Sequence, residues 1–224
     1  MFIGMGMPIP DLANLPGVSR PGKPGGGGAF EYTAIDNSFS MEFDGTSSYI
    51  DAGSTSLNTN AGTVSAWIKT SYTSDFQIIT AIDSQLQYRV LTSGVIRVIL
   101  YHGGSFTSLD STLTVNDGNW HHVAFTYSNS GMNIYIDGSK ISNTTNVTPL
   151  TTATGNLLIG ARSLSNVLSK YFNGKIDEVA VWSSALPEER MQAIYNTTAN
   201  NPGKVADLSE TPEGAPAAWY RMGD

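Results

Sequence analysis

Cysteine is absent from this sequence of 224 residues, which excludes both a disulfide framework and a thiolate zinc site. That absence favours a bacterial or viral origin over a eukaryotic secreted one. Charge is sparse as well. Asp, Glu, Lys and Arg make up only 14% of the chain, and its twelve basic residues stand singly. A surface that binds nucleic acid needs clustered Lys and Arg, so a net charge of −7 and a pI near 4.8 argue against that class of partner. Long apolar runs are missing too, and no stretch approaches the length of a membrane span. The segment from Met1 to Leu15 holds no Lys or Arg and is interrupted by Pro8, Pro10 and Asp11, so it does not read as a secretory signal. A protein of this kind that works outside a cell is expected to get there by another route.

What remains is apolar residues at 40%, enough for a core, together with abundant Ser, Thr, Asn and Gly. Three regions separate along the chain. Residues 1–37 read as an extended Pro/Gly-rich arm: Pro8, Pro10, Pro16, Pro21 and Pro24 are followed by Gly25-Gly26-Gly27-Gly28, which suits neither a helix nor a central strand. Phe2-Ile3, Leu12, Leu15 and Val18 give the arm apolar pieces suited to docking. Residues 38–197 read as one β domain, and 198–224 as a C-terminal tail.

Within the β domain the apolar pattern has a period of two. Val64, Ala66 and Ile68 alternate with Ser65, Trp67 and Lys69, Val123, Phe125 and Tyr127 with Ala124 and Thr126, and Met132, Ile134 and Ile136 with Asn133 and Tyr135. Asp137-Gly138 directly after Ile136 supplies the left-handed residues of a tight hairpin. Asp44-Gly45 and Asp117-Gly118 mark further breaks. Many short strands without intervening helices imply antiparallel pairing, hence an all-β sandwich. One short helix is expected after Pro187. Glu188 and Glu189 would sit at its positive end, Met191, Ile194 and Tyr195 on one face, and the whole would cap an open end of the sandwich. Strand character returns at Ala217-Ala218-Trp219-Tyr220-Arg221-Met222.

Five segments, in order, resemble laminin-G-like (concanavalin-A-like lectin/glucanase) domains of jelly-roll topology. They are Ser40 to Gly45 with Tyr49-Ile50, Gly62 to Ile68, Asp117 to Phe125, Ile134 to Gly138, and Phe172 to Trp182 with Ala185-Leu186. A Gly/Pro arm before such a domain and a Trp-Tyr-Arg-Met segment after it resemble virion proteins of tailed bacteriophages. Those chains often continue into a second domain of the same kind, whereas this one stops at Asp224.

The candidate sites follow from these segments. Hydrolases on this fold pair carboxylates as Glu-x-Asp-x(1–2)-Glu. Here only Glu42-Phe43-Asp44 starts that pattern, and Gly45 to Ser48 supply no third acid. Asp177 and Glu178, as neighbours on a strand, are expected on opposite faces. The expectation is therefore no catalysis. His121 and His122 should also face opposite ways, one packed and one at the surface, and so not share a metal. By resemblance, Asp44, Gly45 and Asp177 would hold a structural calcium ion, which takes six to eight oxygens. The plainer alternative is that Asp44 caps a turn and Asp177 accepts backbone hydrogen bonds. A sugar would stack on aromatic side chains, for which Tyr72, Phe76, Tyr88, Tyr101 with His102, and Phe106 are candidates; their spacing selects none of them.

The resemblance implies a non-enzymatic virion structural protein, a capsid decoration or fibre component. Its arm would anchor it to other virion proteins in many copies, and its sandwich would be open to glycans. The alternative is a secreted bacterial carbohydrate-binding or adhesion module. Neither reading calls for nucleic acid or a membrane.

Overall fold

The computed structural model describes residues 30–222, except 55, 56, 59, 83, 84, 146, 149 and 151–154. Most of the expected arm thus lies outside the described residues. Strands follow in the order β1 (Ala34–Asp36), β2 (Met41–Asp44), β3 (Ile50–Ser54), β4 (Ala61–Lys69), β5 (Gln77–Ile82) and β6 (Leu86–Val90). Then come β7 (Val95–His102), β8 (Ser105–Thr114), β9 (Trp120–Ser128), β10 (Gly131–Ile136), β11 (Ser139–Thr144) and β12 (Asn156–Ile159). After β13 (Arg162–Leu164), β14 (Val167–Ser169) and β15 (Asn173–Trp182), helix α1 (Glu188–Asn200) precedes β16 (Lys204–Ala206) and β17 (Ala218–Tyr220).

Two antiparallel sheets form a sandwich. One runs β11-β10-β9-β4-β15-β17, with β2 also on β15; the other runs β3-β12-β5-β6-β7-β8. The alternating residues meet between them. Val64, Ala66, Ile68, Val123, Phe125, Met132, Ile134 and Ile136 pack against Tyr88, Val98, Leu100, Leu157 and Ile159 in one core. The β10–β11 turn uses Asp137 at φ 50° and Gly138 at φ 75°, the paired left-handed residues of a type I′ hairpin. Tyr88 is fully buried, and its hydroxyl has no hydrogen-bond partner among the described residues. An unpaired buried hydroxyl costs about 1–3 kcal/mol, so Tyr88→Phe is expected to raise stability by about 1 kcal/mol in chemical denaturation.

Helix α1 lies elsewhere than expected. It packs on the outer face of the seven-stranded sheet, where Met191 and Ile194 join Ala124, Tyr135, Ala180 and Trp182 in a second buried cluster, and Tyr195 stacks on Trp67 at 6.0 Å. The helix goes there because the outer face of this sheet carries large apolar residues as well. Ala124 and Tyr135, the residues between the inward-facing ones, need cover of their own. Pro187 stands at the N-cap, one position before the first turn. The chain's two ends add to the same layer. β1 pairs with β16, Tyr32 is buried in the second cluster, and β17 extends the sheet beside β15. Residues 30–37 of the expected arm are therefore built into the body. No helix among the described residues is long and apolar enough to cross a membrane.

Candidate ligand-binding face

The other sheet leaves its outer face partly open, and strand alternation decides what that face shows. On β6, Leu86, Tyr88 and Val90 point into the core, so Gln87 and Arg89 point out. On β7, Ile96, Val98 and Leu100 point in, leaving Arg97, Ile99 and Tyr101 outside. Register aligns them: Arg89 faces Arg97, Gln87 faces Ile99, Arg97 faces Asp110, and Tyr101 faces Phe106 on β8. The β13–β14 hairpin packs against β5 and brings Arg162 and Lys170 to the same corner.

Phe76 is the hub of that corner. The Arg89 guanidinium lies 4.5 Å from the Phe76 ring centroid, that of Arg162 5.1 Å and the Lys170 ammonium 4.5 Å. Arg89 and Arg162 both donate to Gln87 Oε1, at 3.1 and 3.4 Å, and Arg162 Nε donates to Ser169 Oγ at 3.4 Å. Arg97 and Asp110 form a bidentate pair, both bonds 2.6 Å, and Lys170 pairs with Asp75 at 2.5 Å. At the far end Tyr101 and Phe106 have ring centroids 6.0 Å apart, and Phe106 is 60% exposed. The face thus offers an exposed aromatic platform beside a field of guanidinium donors. Of the aromatic candidates in the sequence, Phe76, Tyr101 and Phe106 gather here, whereas Tyr88 belongs to the core. The four cations were missed because they stand apart in sequence. The one signal available was the symmetry of Arg89 and Arg97 about the turn at Ser93.

The expected calcium residues do not come together. Asp44 pairs with Asn173, and Asp177 lies four residues further along β15, roughly 13 Å at about 3.3 Å per residue, so one ion cannot reach both. Asp44 is occupied by its own turn. Its carboxylate accepts from the amides of Thr46, Ser47 and Ser48 and from the Ser47 hydroxyl, bonds that hold its pKa far below the usual carboxylate range. The Gly45 amide donates to Phe172 O at 2.8 Å. Asp177 Oδ1 accepts from the backbone amides of Glu178 and Met222. No cluster of three or more His, Asp or Glu suited to a metal occurs among the described residues. The trio does not fit a calcium ion.

Asp177 and Glu178 also overturn the expectation of opposite faces. Glu178 adopts φ 50° within a β-bulge opposite β4, and this turns both carboxylates onto the Asn37 amide, at 3.0 and 3.1 Å. Trp219 Nε1 donates to Glu178 Oε2 at 2.5 Å, and Arg221 lies 3.5 Å from Oε1. The pair is buried, and burial together with the Asp177 charge pushes Glu178 up to about 8. The adjacent histidines do divide. His122 is buried with neither ring nitrogen hydrogen-bonded, and burial lowers it to about 4. His121 bonds Asp137 and Asp117, which raise it above its usual value. His122, Glu178, Ser65 and Trp67 line a cavity no larger than about one water molecule.

The profile of the concanavalin A-like lectin/glucanases superfamily matches residues 44–192, about two thirds of the chain. The chain belongs to this superfamily. Solved structures agree on the fold. The carbohydrate-binding module of the Ruminococcus gnavus sialidase, solved with α2,3-sialyllactose, superposes with TM-score 0.57 at 14% identity over 73% of this chain and 97% of its own. Domain 4 of an extracellular arabinanase from Geobacillus stearothermophilus, solved with arabinotriose, gives 0.57 at 20% identity over 73% and 80%. A heptameric pentraxin from Limulus polyphemus gives 0.52 at 20% identity over 69% and 80%. No curated protein matches the sequence.

Proposed function

We propose that this chain is a non-enzymatic glycan-binding module displayed in many copies on a virion. The observation that carries the binding reading is the outer face of the six-stranded sheet, with Phe106 largely exposed beside Tyr101 and the partly exposed Arg89 and Arg97 turned outward on β6 and β7. Aromatic rings pack the apolar faces of sugars, while fixed donors bind their oxygens. The modules of similar fold from Ruminococcus gnavus and Geobacillus stearothermophilus, solved with sialyllactose and arabinotriose, support the same use. The absence of catalysis is supported by Asp44, the one acid paired with Glu42 on β2, because its carboxylate is consumed by backbone amides.

Phe106→Ala is expected to weaken glycan binding by roughly five- to tenfold while leaving the fold intact, since aromatic contacts contribute about 0.5–1.5 kcal/mol beyond burial. A glycan array followed by calorimetry on the best ligand measures this; an unchanged affinity places the site elsewhere. The virion setting is supported by the Pro- and Gly-rich residues 1–28 ahead of the sandwich. It also suits weak sites, whose avidity grows with copy number. Mass spectrometry of purified particles tests it: stoichiometric presence supports display, and free protein in the medium favours a secreted adhesion module.

A further inference from the structure

We infer that the corner formed by Phe76, Arg89 and Arg162 is an anion subsite that takes the carboxylate of an acidic sugar. The inference rests on the glycan-binding reading and adds to it a ligand class. Four of the twelve basic residues in a chain of net charge −7 converge on this one corner. Among the described residues two carboxylates pair with them: Asp110 with Arg97, and Asp75 with Lys170. Arg89 and Arg162 have no ion-pair partner among the described residues. Their shared acceptor is the neutral oxygen of Gln87, which holds two like charges together without compensating either.

The cost of that arrangement is visible in Arg89. It stands directly across from Arg97 on the neighbouring strand, a like-charge pairing that destabilises a sheet. Its Nε is buried with no acceptor among the described residues. Burial and the charges of Arg97 and Arg162 pull its pKa below the ordinary arginine value. The Phe76 ring offsets part of this charge and Asp110 and Asp75 act on it from further off, but neither guanidinium has a paired carboxylate of its own among the described residues, so an incoming anion relieves their mutual repulsion. Guanidiniums are planar forks that match a carboxylate, and Phe76 fixes the two of them in place from below. Tyr101, further along Arg97's own strand, and Phe106 opposite it on β8 would carry the remaining sugar rings of a longer chain.

The test compares three glycan sets on the full chain: carboxylated (uronic and nonulosonic acids), sulfated, and neutral analogues of the same backbones. Carboxylated glycans are expected to bind best, with affinity falling as salt rises. Arg89→Gln and Arg162→Gln should each reduce that binding by roughly ten- to a hundredfold, the range for a lost charge-assisted bond, and weaken neutral glycans far less. Arg162 lies in the short β13–β14 hairpin, so its variant reports on binding even if Arg89→Gln perturbs the sheet. Preference for neutral or for sulfated glycans, or carboxylate binding unchanged in Arg162→Gln, overturns the carboxylate subsite while glycan binding itself stands. Failure to bind any glycan overturns both.

Discussion

Gly174→Ala is expected to destabilise the protein by about 4 kcal/mol and to leave little folded material at 37 °C. Gly174 is the second residue of β15, the strand that joins β2, β4 and β17, so no neighbouring backbone is free to move aside. Its φ of 139° lies where side chains are strained, and a Cβ placed there would sit 2.2 Å from the Lys69 carbonyl oxygen. Strain in such regions costs on the order of 1–3 kcal/mol, and overpacking against fixed backbone costs a similar amount again. Gly53 separates the two causes. It has φ 74°, but a Cβ added there would meet nothing within 4 Å, so Gly53→Ala should cost only about 1 kcal/mol. Urea midpoints of the two variants decide the matter: equal losses would refute the steric account of Gly174.

The same residue shows how far the sequence could be read. Gly174 stood inside one of the five segments that pointed to the family, and the other segments became β2, β4, β9 and the β10–β11 hairpin where the alternation placed them. Period-two patterning and Asp-Gly turns are local properties, so they are legible without coordinates. Placement is not local. Ala124 and Tyr135 looked like the outward residues of half-buried strands, yet together with Ala180 they are the floor under α1. The bulge at Glu178 left no trace in sequence because a glutamate at φ 50° is disfavoured by its own side chain and held only by its surroundings. The arginine corner is a matter of register. Arg89 and Arg97 meet because β6 and β7 pair symmetrically, and Arg162 arrives from 73 positions further on than Arg89 through the β13–β14 hairpin. Asp44 and Asp177, named together by the resemblance, are separated on the same ground: they sit on paired strands but at different heights along them.

Stability is expected to be nearly flat from about pH 4.5 to 6.5 and then to fall by about 2 kcal/mol by pH 8, with Glu178 as the main cause. Glu178 is pushed up from 4.5 to about 8 by burial and by Asp177, against the pull of the Trp219 hydrogen bond and of Arg221. Between those values the folded protein holds a proton that the unfolded chain has lost, so this group removes stability as pH rises, at about 1.4 kcal/mol per pH unit. His122, across the small cavity, has the opposite sign. Burial lowers it from 6.5 to about 4, so across that interval the unfolded chain holds the extra proton and stability rises with pH. The two slopes cancel until His122 stops titrating in the unfolded chain near 6.5. Above that, Glu178 acts alone, joined by the stability His121 loses as pH passes its raised value. Glu178→Gln removes one of the two slopes. The variant should gain stability from pH 4.5 to 6.5 as His122 goes unopposed, and above 6.5 it should keep only the shallow His121 decline. Calorimetric melting at pH 5, 6.5 and 8 distinguishes the cases. Parallel curves for the two proteins would mean that Glu178 is ionised throughout, its charge held by Asn37, Trp219 and Arg221 despite its burial.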